Sequence, residues 1–81
     1  HGLVYEKETP TALEFNSNSI VINGFSKYFC MPGMRIGWMV LPEHLIRQAE
    51  IIAQNLYISA PTLSQYAAIE AFDYEYLAKV R

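Results

Sequence analysis

Lys27 and Arg35 are the residues of this sequence best suited to chemistry. They lie in the stretch GFSKYFCMPGMRIGW, Gly24 to Trp38, with Ser26 and the glycines Gly24, Gly33 and Gly37 around them. A lysine set among apolar residues is poorly hydrated, and the uncharged amine is the form that attacks carbonyls and makes Schiff bases. An arginine keeps its charge and offers a planar fork that matches phosphate or carboxylate. Glycines let backbone approach an anion closely. An amine, an anion fork, the Ser26 hydroxyl and permissive glycines together suit a phosphorylated aldehyde. Residue type and spacing by themselves fit a plainer alternative at least as well. A hairpin lysine is usually solvated, and an arginine at a strand start usually snorkels or pairs with a carboxylate.

The elements around this stretch must position it. Ser19 to Phe25, SIVINGF, is β-branched and compact and predicts a strand over 19–25, buried on both faces. Met34 to Leu41, MRIGWMVL, predicts a second strand over 34–41. The loop between them, Ser26 to Gly33, is too short for a helical crossover, so the two strands should be antiparallel neighbours. Lys27 follows directly on the first strand, where α/β sheets present ligand-binding loops.

Pro42 should open a helix over 42–55, with Glu43 in its first turn and Leu45, Ala49, Ile52 and Leu56 on one face. Ile46 and Ala53 lie beside that face. NLYISAPT breaks the pattern. A second helix is predicted over 61–72, with Thr62 and Gln65 at capping-box spacing and an apolar face of Leu63, Tyr66, Ala67, Ala68 and Ala71. Asp73 should cap a last helix over 73–81 that turns Tyr76, Leu77 and Val80 inward. His1 to Asn18 reads as an irregular connector, and NSNS, Asn16 to Ser19, is turn chemistry. Two strands cannot make a stable sheet alone. The segment, 1–81, therefore reads as a slice of a larger α/β domain rather than a complete one. Its opening at His1, in the middle of an apolar phrase, fits the same expectation.

Composition narrows the partners. The 81 residues carry a formal charge of −2 and are 52% hydrophobic, the balance of an ordinary globular chain. The six basic residues are dispersed, which argues against nucleic acid. No apolar run is long enough to span a bilayer, and no signal peptide opens the chain. The single cysteine, Cys30, excludes an intrachain disulfide, and no Cys/His cluster has metal-binding spacing. The cytoplasm is the default compartment.

NGFSKYFCMPGMRIGW resembles the lysine segment of class I/II aminotransferases, the fold type I pyridoxal-phosphate enzymes. Their pattern is a small residue, an apolar residue, Ser or Ala, the lysine, then a glycine, the arginine and another glycine. Gly24, Phe25, Ser26, Lys27, Gly33, Arg35 and Gly37 occupy those positions. HGLVYE is similar to the stretch after the family's Asp-x-x-Tyr element, and LPEHLI to the helix after the second strand. NLYISAPTLSQYAA resembles the later segment that carries Ser-x-Pro and a glutamine.

The resemblance implies a slice of the large pyridoxal-phosphate-binding domain. Lys27 would hold pyridoxal 5'-phosphate as an internal aldimine and, once freed, move a proton between the substrate α-carbon and the cofactor. Arg35 would bind the cofactor phosphate, with the Ser26 hydroxyl assisting. The reaction implied is transfer of an amino group from an amino acid to a 2-oxo acid, in a homodimeric parent protein. Carbon–sulfur β-lyases and aminocyclopropane carboxylate synthase share the fold and the lysine, so they stay open as alternatives. So does a regulator that keeps the cofactor domain as a sensor.

Two positions depart from the pattern. Gly24 stands where some members carry a phosphate-binding serine, and Cys30 where Ala, Gly or Ser is usual. A free cysteine there reads as a small packing residue. The family's aspartate for the pyridine nitrogen and tyrosine for the cofactor hydroxyl would precede His1. The arginine for the substrate carboxylate would follow Arg81. The chain alone is thus expected not to transaminate. Tyr57 and Ser59 fall where the family approaches its dimer interface, although Tyr57 reads more simply as an aromatic plug between helices. Trp38 reads as core, Tyr74 and Tyr76 as packing residues, and His1 and His44 as histidines without partners.

Overall fold

The computed structural model describes residues 2–80. His1 and Arg81, the latter the expected end of the last helix, lie outside them. Strand β1 (Val21–Gly24) pairs antiparallel with β2 (Gly37–Val40), with Val21 opposite Val40 and Gly24 opposite Gly37. Three helices follow: α1 (Glu43–Leu56), α2 (Thr62–Glu70) and α3 (Tyr74–Val80). The order is the expected one.

Both strands are shorter than their sequence pattern. β2 cannot begin at Met34, because Pro32–Met34 forms a 3-10 turn and Arg35 takes the left-handed conformation at φ 49° and ψ 48°. The segment 26–33, expected as a plain loop, therefore runs into that turn. One ladder bond continues past β1, from the Phe25 N–H to the Ile36 carbonyl at 3.2 Å. Before β1, the Asn16 side chain and carbonyl accept from the Asn18 and Ser19 N–H groups, so NSNS forms the expected turn. Thr11 caps a further 3-10 turn, Ala12–Glu14, inside the expected connector.

The strands are not buried on both faces within the described residues. Ile22 is 77% exposed, and every residue of β2 is exposed. What covers the sheet locally is an aromatic cluster. The Phe25 ring lies 4.9 Å from Phe29, 5.1 Å from Trp38 and 5.7 Å from Phe72, mostly in the edge-to-face geometry that aromatic pairs favour. Trp38, expected in the core, contacts Phe25 but stays 37% exposed, at the edge of the cluster.

The helices correct several details. Pro42 sits at the cap of α1 rather than inside it, its carbonyl accepting from the Leu45 N–H at 2.9 Å. Leu45, Ala49 and Ala53 form the half-buried face, while Ile46, Ile52 and Leu56 stay exposed. The capping box of α2 does not form. Thr62 is already helical, Pro61 holds the cap position without a hydroxyl, and Gln65 Nε2 donates to the Ala60 carbonyl at 2.8 Å.

α2 turns only part of its expected face inward. Ala68 is buried and Ala67 and Ala71 are half-buried, as expected, and Ser64 is buried beside them, while Leu63 and Tyr66 are largely exposed. Small side chains let this helix approach the backbone beside Arg35, which leucine and tyrosine would prevent. Asp73 caps α3 as expected, accepting from the Tyr76 N–H at 2.9 Å. Leu77 is 3% exposed, but Tyr76 and Val80 are not turned inward. No helix among the described residues is long and apolar enough to cross a membrane.

Candidate cofactor site

Lys27 sits in the turn that leaves β1, its carbonyl accepting from the Cys30 N–H at 3.0 Å. The preceding Phe25 is 6% exposed and anchors the turn in the aromatic cluster. The Lys27 amine has no hydrogen bond or ion pair among the described residues. It borders a cleft of about 610 Å³ with Asn23, Phe29, Trp38, Phe72 and Tyr74. The side chain is nonetheless exposed, so these residues alone do not supply the dry setting that the sequence pattern implied.

Arg35 is held at one corner. Its Nη1 donates to the Pro32 carbonyl at 2.8 Å and to Ser26 Oγ at 3.3 Å. The remaining donors, Nε and Nη2, have no partner among the described residues. A guanidinium fixed at one nitrogen with its other donors free is the arrangement that presents a fork to an anion. The left-handed backbone at Arg35 reinforces the point, because non-glycine residues hold such conformations mostly where the surroundings over-determine them.

None of the glycines has positive φ, whereas Cys30, Arg35 and Ile58 do. Gly37 serves closeness instead. A Cβ on Gly37 would stand 2.7 Å from the Asn23 carbonyl oxygen.

The structure brings Ser26 and Arg35 into contact, and Lys27 adjoins Ser26 along the chain. Lys27 and Arg35 border different clefts. Arg35 lines one of about 500 Å³ with Gly37, Tyr57, Ser59 and Ala60. Tyr57 is 59% exposed at the rim of this cleft, which corrects its reading as a plug between helices. Cys30 is exposed with φ 56°, not a buried packing residue, because the turn after Lys27 points it outward. His44 and Tyr74 are exposed. No group of three or more His, Cys, Asp or Glu among the described residues could hold a metal ion.

Sequence reasoning missed Ser64. Its Oγ donates to the Met34 carbonyl at 2.6 Å, and the residue is 5% exposed. The available signal was a small hydroxyl residue four positions before Ala68, on the same face of a helix rich in small residues.

The family model "Aminotransferase class I and II" matches residues 1–79. The chain belongs to the class I and II aminotransferases. Among the relatives of this aminotransferase chain, a (5-formylfuran-3-yl)methyl phosphate transaminase of Methanocaldococcus jannaschii is 49% identical over 78 residues, 93% of this chain and 21% of the relative. A valine–pyruvate aminotransferase of Mycobacterium tuberculosis is 42% identical over 81 residues, 98% of this chain and 21% of the relative. A crystal structure from Methanococcus jannaschii, similar in its active site to kynurenine aminotransferases, superposes with a TM-score of 0.90 at 44% identity. That match covers 98% of this chain and 23% of the other. The aminotransferase chain thus spans about a fifth of the length of the curated relatives it matches.

Proposed function

We propose that this chain carries the cofactor-anchoring residues of a pyridoxal-phosphate-dependent aminotransferase that moves an amino group from an amino acid to a 2-oxo acid. The observation that carries the reading is the Arg35 guanidinium, fixed through Nη1 by Pro32 and Ser26 with Nε and Nη2 left for an anion. The residues fit the cofactor. Lys27 offers an unpartnered amine for its aldehyde, and Arg35 offers a fork for its phosphate.

Pyridoxal phosphate supplies the electron sink that makes the substrate α-proton labile. Lys27 would anchor the cofactor, then act as the base that takes up and returns that proton. Arg35 would fix the phosphate end, which sets where the ring lies relative to Lys27. Ser26 would hold Arg35. Family membership and relatives named as transaminases support the reaction class. In this reading the chain is part of a cofactor-binding domain of a cytoplasmic homodimer, and its substrates are small molecules, an amino acid and a 2-oxo acid.

The test uses the full-length protein. Pyridoxal phosphate is added and the visible absorbance of the lysine-bound cofactor is recorded. Lys27→Ala is expected to abolish that band and to lower amino-group transfer to 2-oxoglutarate by at least a thousandfold, the scale on which loss of an essential catalytic group is felt. A band that survives the substitution would show that another amine holds the cofactor. Pyruvate and ammonia released from a cysteine conjugate, without transfer, would identify a lyase instead.

A further inference from the structure

We infer that Ser64 is a positioning residue for Arg35, acting through the backbone and not by touching the cofactor. Ser64 lies on α2, thirty positions from the carbonyl that it binds, and its hydroxyl is the only side-chain donor that ties a helix to the Lys27–Arg35 segment among the described residues. The carbonyl is that of Met34, so the bond fixes the plane of the Met34–Arg35 peptide. On the far side, the Ile36 carbonyl is fixed by the Phe25 N–H at 3.2 Å. Arg35 therefore lies between the held Met34–Arg35 peptide and, one residue further on, the held Ile36–Gly37 peptide.

The bracket matters because Arg35 is left-handed, at φ 49°. For a residue with a Cβ this conformation is less favourable than the right-handed one, and it relaxes when its constraints are removed. A relaxed Arg35 backbone would swing the whole side chain. The contacts to Pro32 and Ser26 would then hold the guanidinium less well. At 5% exposure, water has little access to replace the Ser64 hydroxyl. The bond is also short, 2.6 Å, and joins a helix to a turn that has few other ties.

The inference rests on Arg35 as the phosphate clamp, and the experiment separates the two. Apo full-length protein is titrated with pyridoxal phosphate and, separately, with pyridoxal, which lacks the phosphate. The ratio of the two affinities reports the phosphate contact alone. Arg35→Ala is expected to collapse the ratio. Ser64→Ala is expected to lower it about fivefold, the weight of one neutral hydrogen bond, while pyridoxal binding stays unchanged. Ser64→Cys keeps the size with a weaker donor and should fall between.

In the Arg35→Ala background, Ser64→Ala should change the ratio no further. An unchanged ratio in both Ser64 variants overturns the inference while leaving the clamp standing. Equal weakening of both ligands overturns it too, since a general structural role would produce that. A further drop in the Arg35→Ala background also overturns it, because Ser64 would then act independently of Arg35. If Arg35→Ala leaves the ratio unchanged, the clamp itself is wrong, and the inference falls with it.

Discussion

Arg35 combines features that a surface arginine rarely has together. Its backbone is left-handed, one of its nitrogens donates to the loop's own Pro32 carbonyl and to Ser26, and its other donors are free among the described residues. A lysine could not reproduce this, because a single ammonium cannot hold the loop and offer a planar fork at once. Arg35→Lys in the full-length protein is therefore expected to weaken pyridoxal phosphate binding about tenfold or more, measured by titration of the apo form, with little change for pyridoxal. Equal affinity for pyridoxal phosphate in the variant and the parent would mean that charge alone suffices at this position. Lys27 and Arg35 stood out in the sequence as candidates, since two cations among glycines and apolar residues need a reason. Their settings were not legible. Local pattern does not reveal that Lys27 is exposed, that Cys30 points outward, or that Tyr57 borders the cleft of Arg35.

At the scale of elements, the hairpin was legible because β-branched runs and a short connection leave few other options. Its ends were not, because the left-handed Arg35 and the turn at Pro32–Met34 interrupt a run that still reads as a strand. The face of α2 was legible only in part for a related reason. Apolar periodicity finds the buried Ala68 but also favours Leu63 and Tyr66, and it passes over Ser64, which close approach to the Met34 carbonyl selects. Close approach also distinguishes the two paired glycines of the hairpin. A Cβ on Gly37 would meet the Asn23 carbonyl oxygen at 2.7 Å and Gly24 Cα at 3.3 Å, and backbone cannot swing aside as a side chain can. A Cβ on Gly24 would meet its nearest atom, the Ile36 carbonyl oxygen, at 3.5 Å, an ordinary contact. Gly37→Ala should thus destabilise the full-length protein by roughly 1–3 kcal/mol, as other overpacking changes do. Gly24→Ala should shift it far less. Denaturant unfolding of the two variants measures the difference, and equal midpoints would show that the hairpin opens to accept the methyl group.

At the scale of the whole molecule, the described residues have the surface of something that needs covering. Their accessible area is 6870 Å², against about 5,000 Å² for a compact monomer of this mass. Their radius of gyration is 14.7 Å, against about 12 Å for a compact domain of this length. They form a layer only 15 Å thick, and the buried hydrophobic residues are Phe25, Ala68 and Leu77. Ile22, Leu56, Ile58 and Leu63 are each more than three-quarters exposed. So few buried groups cannot offset the conformational entropy of ordering a chain of this length. The isolated 81-residue chain is therefore expected to bind a hydrophobic dye strongly, to lose its helical signal gradually with denaturant, and to turn over no amino acid. Circular dichroism, dye fluorescence and a transamination assay on the purified chain check these outcomes together. A sharp unfolding transition without dye binding would mean that the aromatic cluster around Phe25 stabilises the fold unaided. Measurable turnover would further mean that Lys27 and Arg35 bind and use the cofactor with no covering layer at all.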